Sequence, residues 1–330
     1  MFLKKVTNLM FLLFFAVANA QIIDSLQTKP VLELKKISQT HNFDDGSSRT
    51  YRKPKFWEML TNVPKDFIAT SKDFVAKDHA YYLGGAIAST ALLVPIDQQI
   101  TDQSRALAER QGLSSNNKYG KFGPLQNIPQ NIGAGFYLIG NGTTVIVMTA
   151  GFLTYGLLEK DYRAQATASG LIESLALSGV YVQTIKRITG RESPFIAIQN
   201  GNSGGDWNPF PSFTAYAKNT PSYDAVPSGH LTTIMSAFTV IASNYPEYKW
   251  IKPVGYTLIG SMCLQMIQSE VHWASDYPIA ILIGYFVGKN IAKNRFKVTK
   301  NADGTEKKYS LNFSGSRNYG YNLVGATLKF

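Results

Sequence analysis

The chain has 330 residues, with 33 basic and 22 acidic side chains and a formal net charge of +11. A hydrophobic content of 45% excludes a wholly disordered chain, and the length allows one large domain or two small ones. The basic excess points to anionic partners such as phosphate esters or acidic lipid surfaces. No RNA-reading signature or basic-aromatic interleaving appears, so no nucleic acid is expected as a partner. The single cysteine, Cys263, excludes an internal disulfide and a Cys-based zinc site, and reads as a small buried hydrophobe.

Residues 1–20 open with "MFLKK", continue with the apolar "LMFLLFFAV" and close on "ANA" before Gln21. That order reads as a secretory signal peptide with a small-residue cleavage site; an uncleaved anchor is the rival. Residues 21–78 form a polar lead-in followed by amphipathic helices. The lead-in is too polar and turn-rich to predict order. From Phe56, "FWEMLTNVPKDFIATSKDFVAKDH" alternates apolar and charged residues at helical spacing, which suits a core helix or one on a membrane surface.

Uncharged or nearly uncharged runs follow at 80–96, 132–158, 164–185, 229–246, 253–269 and 277–288. Each predicts a helix buried on most of its circumference. Six of them with polar connections predict an all-α, six-helix bundle over residues 79–294. The tail, 295–330, alternates apolar and polar residues between turn signals and predicts a C-terminal β-hairpin or small sheet. Its last residues resemble the closing strand of an outer-membrane barrel, but the helical runs leave no room for the eight strands a barrel needs.

Three clusters sit at ends of apolar runs: "IKRITGRESPF" at 185–195, "PSGH" at 227–230 and "EVHWASDYP" at 270–278. If the helices alternate up and down, all three meet at one end of the bundle. Two histidines, a lysine and an aspartate would then converge. Histidine is a nucleophile or acid/base near neutral pH. An aspartate four residues after a histidine can hold one ring nitrogen. Ser228 and Gly229 at a helix start offer free N–H groups to an anion, and Lys186 adds a point charge.

The pattern resembles the type 2 phosphatidic acid phosphatase superfamily, which includes bacterial acid phosphatases and vanadium haloperoxidases. The signature runs Lys, six residues, Arg-Pro; then Pro-Ser-Gly-His; then Ser-Arg, five residues, His, three residues, Asp. The resemblance covers roughly residues 80–292. It implies a bundle of the phosphatidic acid phosphatase type 2 kind, with Lys186, Ser228 and Gly229 as phosphate contacts. It further implies His230 as the proton donor, His272 as the nucleophile that becomes phosphohistidine, and Asp276 as its orienting carboxylate. No metal or cofactor is implied by this scheme.

The chain departs from the signature at two places. Ser193 stands where the first motif has arginine, and Gln265-Met266 stand where the third has Ser-Arg. Loss of such a grip on the phosphoryl oxygens can cost on the order of a thousandfold in rate. Arg191 is a possible substitute and Arg187 a second; a solvated loop charge is the plain alternative for both. Gln265 could donate an amide hydrogen bond, but Met266 cannot replace a charge. The Gly-rich "NGNSGGDW" at 200–207 either shapes the pocket or is an ordinary turn.

The expected function is a phosphatase of the cell envelope, acting on a phosphate monoester or pyrophosphate of a small molecule or lipid. The membrane is an expected partner. The alternatives are a catalytically weak or inactive binding or scaffold protein with this fold and, ranked lower, a vanadium-dependent haloperoxidase. If all six runs spanned a bilayer behind a cleaved signal peptide, the clusters would face the cytoplasm. Several runs fall short of the roughly 20 residues a span needs, so the reading favours a periplasm-facing site with the extent of insertion open.

Overall fold

The structure is a computed structural model that describes residues 38–112, 116–122, 125–300, 310–318 and 321–329. The expected signal peptide, 1–20, lies outside the described residues. In chain order the elements are β1 (Ser38–Asn42), β2 (Ser47–Arg52), α1 (Glu58–Thr61), α2 (Val63–Val75), α3 (Ala80–Leu93) and α4 (Asp97–Arg110). A short hairpin, β3 (Tyr119–Phe122) and β4 (Leu125–Pro129), precedes α5 (Ile132–Ile139) and α6 (Gly142–Leu158). Then come α7 (Tyr162–Thr189), α8 (Pro194–Asn200), α9 (Phe213–Lys218), α10 (Gly229–Asn244), α11 (Ile251–Gln268) and α12 (Tyr277–Arg295). The strands β5 (Phe296–Lys300), β6 (Ser310–Asn318) and β7 (Tyr321–Lys329) close the chain.

The fold is a helical bundle, as the six apolar runs predict. The long helices α7, α10 and α12 pack on one another, α6 lies on α7, α3 on α12, and α11 on α10 and α5. One core joins Leu171, Leu177, Val240, Val287 and Ile291; a second joins Leu231, Met235, Ile259, Met262 and Met266. Gly284 lets α12 approach α10 closely, since a Cβ there would sit 2.7 Å from that of Met235. A buried polar seam ties in α2: Asn294 donates to Asp66, Asn290 to Thr70, and Arg295 pairs with Glu173 of α7.

Two features depart from the sequence reading. The uncharged run 132–158 is two helices rather than one, meeting at 69°. Asn141 caps α6, its side chain accepting from the Thr143 amide at 2.9 Å. A Cβ at Gly140 would lie 2.7 Å from the Cβ of His230, so the elbow rests against the start of α10.

From Ser38, where the described residues begin, the polar lead-in holds a hairpin rather than disorder. β1 pairs with β2, and β2 pairs antiparallel with β5 from the other end of the bundle. The physical reason is Tyr51, fully buried, whose ring packs against Phe296 and His41. Arg49 adds a guanidinium over the Phe296 ring. The tail therefore divides: β5 belongs to this sheet, and β6 pairs with β7 as a separate hairpin.

Among the described residues, one helical stretch, Ala80–Arg110, is long and apolar enough to cross a membrane. The bent pair α5 and α6 would be a second if it forms one span. Only 11% of the apolar window in Ala80–Arg110 is buried, so this is not a core helix that mimics a span.

Candidate active site

The three sequence clusters meet at one end of the bundle. α7 ends at Gly190, which adopts the left-handed conformation with φ +54° and lets its amide close on Lys186. A Cβ at Gly190 would overlap the Asn208 carbonyl, so no other residue fits without moving the backbone. Gly190→Ala is expected to cost about 3 kcal/mol, read as a lowered denaturant midpoint at unchanged slope. An unshifted midpoint would show that the turn is not fixed as described.

Past Gly190 the chain runs beside the segment leading to "PSGH". Arg191 accepts from the Ala225 amide, Ser193 donates its amide to Pro221, and Thr189 donates its hydroxyl to the Val226 carbonyl. The Val226–Pro227 peptide is cis. Ser228 then caps α10, its hydroxyl oxygen accepting from the Leu231 amide at 3.3 Å, while its own amide donates to the Asp276 carbonyl at 3.2 Å. Gly229 and His230 open α10, where first-turn amides have no helical acceptor. A Cβ on Gly229 would lie 3.8 Å from Lys186 Nζ, so the lysine reaches this helix start.

His272 follows α11, and Asp276 immediately precedes α12. His272 Nδ1 lies 3.2 Å from Asp276 Oδ2, which also accepts from the Trp273 amide at 2.8 Å. The other carboxylate oxygen accepts from Arg191 Nη1 at 3.0 Å. Both oxygens of Asp276 are thus fixed, which aims the carboxylate at Nδ1 and leaves Nε2 as the basic ring nitrogen. The His230 ring lies 6.3 Å from that of His272, centroid to centroid, and 4.4 Å from Tyr137. Burial first, and then electrostatic interaction with His272 and Lys186, push the His230 pKa down to about 3. Its resting imidazole is neutral.

Arg191 departs from the role expected of it. It is fully buried, not a phosphate-facing loop charge. Nη1 donates to Ser275 at 2.6 Å as well as to Asp276; Nη2 donates to Asp97 at 2.7 Å and to the Gly204 carbonyl at 2.9 Å. Asp97, also fully buried, accepts from the Ser275 amide at 3.0 Å and from its hydroxyl. The result is a buried row, Asp97–Arg191–Asp276–His272, behind the histidine. Sequence reasoning missed Asp97. Its one signal was a lone acid closing the uncharged run 80–96.

The remaining expected groups scatter. Arg187 stacks over Tyr216 at 3.7 Å and Phe213 at 4.7 Å. Gln265 donates to Asn117 and packs against Gly133 of α5, and Met266 lies in the apolar core. Ser193, buried, meets Asp224: its hydroxyl donates to Oδ1 at 3.4 Å, and Lys186 Nζ pairs with Oδ2 at 3.2 Å. The glycine-rich turn at 200–207 folds over Arg191 and Trp273, held by Glu192, which accepts from Asn200, Asn202 and the Asp206 amide.

Residues 167–300 match the family model described as the PAP2 superfamily. Over this segment the chain is similar to the PAP2 superfamily. The match takes in α10, α11, α12 and all of α7 beyond its first turn, and every residue of the site except Asp97 and Tyr137. No curated protein and no solved structure matches the chain. The PAP2 segment supplies both histidines and the lysine, while the start of α4, outside it, supplies the carboxylate behind Arg191.

Proposed function

We propose that this protein is a PAP2-type phosphatase that hydrolyses a phosphate monoester or pyrophosphate through a phosphohistidine at His272. The observation that carries the reading is the His272–Asp276 pair, with His230 beside it and Lys186 at the same helix start. His272 Nε2 attacks phosphorus and the bond to the leaving oxygen breaks, with His230 giving that oxygen a proton. His230 then takes a proton from water, the oxygen of which attacks phosphorus and breaks the P–N bond. Lys186 and the first amides of α10 hold the phosphoryl oxygens.

The low resting pKa of His230 makes a specific demand on this scheme. A neutral imidazole has no spare proton to donate to the leaving group, so the substrate's negative charge must raise its pKa. His230 is expected to titrate near pH 3 in the free protein and several tenths of a unit or more higher with orthovanadate bound. The measurement is an NMR titration of labelled histidine; an unmoved His230 would remove it as the acid. The linkage sign follows: protonating His230 opposes folding, so its contribution to stability is full above its unfolded value of about 6.5 and falls as pH drops towards 3.

The substrate is proposed to include lipid phosphates at a membrane. Exposed apolar side chains support this, among them Tyr81, Ile87 and Leu92 on α3, Val147 and Leu158 on α6, and Tyr256 on α11. A site facing the periplasm suits this activity. The protein is expected in the membrane fraction after a carbonate wash; release by salt alone would end the membrane reading.

A second reading, a binding or scaffold protein, is favoured by one observation. Neither Arg187 nor Arg191 reaches the phosphate contacts, since both guanidinium groups are held elsewhere. Ser193→Arg separates the two readings, because residue 193 meets Asp224, the carboxylate that pairs with Lys186. Met266→Arg would only bury a charge in the core. A gain in p-nitrophenyl phosphate turnover supports the phosphatase. No turnover in either form supports the scaffold.

A further inference from the structure

The carboxylate of Asp224 spans two positions that matter for the site. One oxygen meets Lys186 Nζ at 3.2 Å, the lysine expected to hold phosphate. The other accepts from Ser193 at 3.4 Å, the residue standing where the signature has a phosphate-gripping arginine. Asp224 is held there by its backbone, since the chain at Asp224 bridges in parallel to Arg191 and the Ala225 amide donates to the Arg191 carbonyl. Its side chain is only partly covered and Lys186 is buried, so Asp224 stands at the accessible end of the pair.

We propose that Asp224 is a built-in occupant of the anion site, which a substrate's phosphoryl group must displace from Lys186. This rests on the phosphate-site reading given above. A carboxylate and a phosphoryl group cannot share one ammonium at van der Waals distance without strong like-charge repulsion. Free orthophosphate carries nothing else with which to drive Asp224 aside. An ester brings its leaving group, and contacts made by that group can drive the exchange. Asp224 thereby sets specificity: it selects esters with an extended leaving group over small phosphates, and it weakens retention of the orthophosphate product.

The test is titration calorimetry of the full chain with orthophosphate, comparing wild type, Asp224→Asn and Lys186→Met, with melting curves to confirm folding. Asp224→Asn keeps the shape and removes the charge: its amide oxygen can still accept from Lys186, while its NH2 group donates to the Ser193 hydroxyl oxygen instead of accepting from it. It is expected to bind orthophosphate about tenfold tighter or better, and orthophosphate should inhibit p-nitrophenyl phosphate hydrolysis at correspondingly lower concentration. Lys186→Met should abolish binding. Should Asp224→Asn fail to fold, Asp224→Ala carries the same expectation. Equal or weaker binding by the Asp224 variant, with wild-type binding that Lys186→Met removes, overturns the proposal and leaves the phosphate site standing. Absence of binding in every form overturns both.

Discussion

Arg191→Ala is expected to destabilise the protein by about 3–5 kcal/mol and to remove activity with it. Arg191 is fully buried between two fully buried carboxylates, Asp97 and Asp276. Truncation leaves two negative charges near each other in a dry interior, with the Gly204 carbonyl and the Ser275 hydroxyl also short of a donor. Against a typical total of about 5–15 kcal/mol that loss is a large share. Asp97→Asn should cost less, about 1–3 kcal/mol, because Arg191 keeps Asp276 and an amide still accepts from Ser275. Urea unfolding of the two variants gives the order directly. An Arg191→Ala protein as stable as wild type would mean that the row Asp97–Arg191–Asp276 is not closed as described. The catalytic consequence is separate: a freed Asp276 no longer fixes the His272 ring, so kcat should fall even in molecules that remain folded.

His272→Ala is expected to lower turnover by on the order of 10⁴-fold or more, as removal of a covalent nucleophile does. Wild-type protein quenched in alkali during turnover of a labelled substrate should carry the label on a P–N bond, which acid releases. His272→Ala should carry none. Asp276→Asn should trap label slowly, because an amide can present its N–H to Nδ1 and favour the wrong tautomer. Turnover unchanged in His272→Ala would end the phosphohistidine mechanism.

Much of this arrangement was legible in the sequence. Uncharged runs of helical length gave the bundle, because a helix buried on most sides needs no polar stripe. The spacing of His272 and Asp276 gave their pairing, because it is local. What was hidden is what depends on partners far along the chain. Asp97 lies 94 residues before Arg191, and no local pattern marks the two as neighbours. Arg191 and Ser193 sit two positions apart, yet one reaches Asp97 and Asp276 behind the site and the other meets Asp224. The lead-in hairpin was hidden for the same reason: its polar sequence orders against Ser243, Asn244 and Phe296, all far along the chain. The elbow at Gly140 was a different failure. "GNG" at 140–142 is a turn signal inside an apolar run, and the run outweighed it.

The strand pairing of β2 with β5 joins the residues just before the bundle to those just after it. The chain between them behaves as a closed ring fastened by a single backbone clasp. Shortening the chain beyond Ser47 would strip β5 of its partner and leave a bare strand edge with Phe296 uncovered, a template for aggregation. Cutting the ring elsewhere, in an exposed connection such as 246–250, would leave the clasp intact. The ends of the bundle are therefore the wrong place to trim this protein, and its connecting turns the right one.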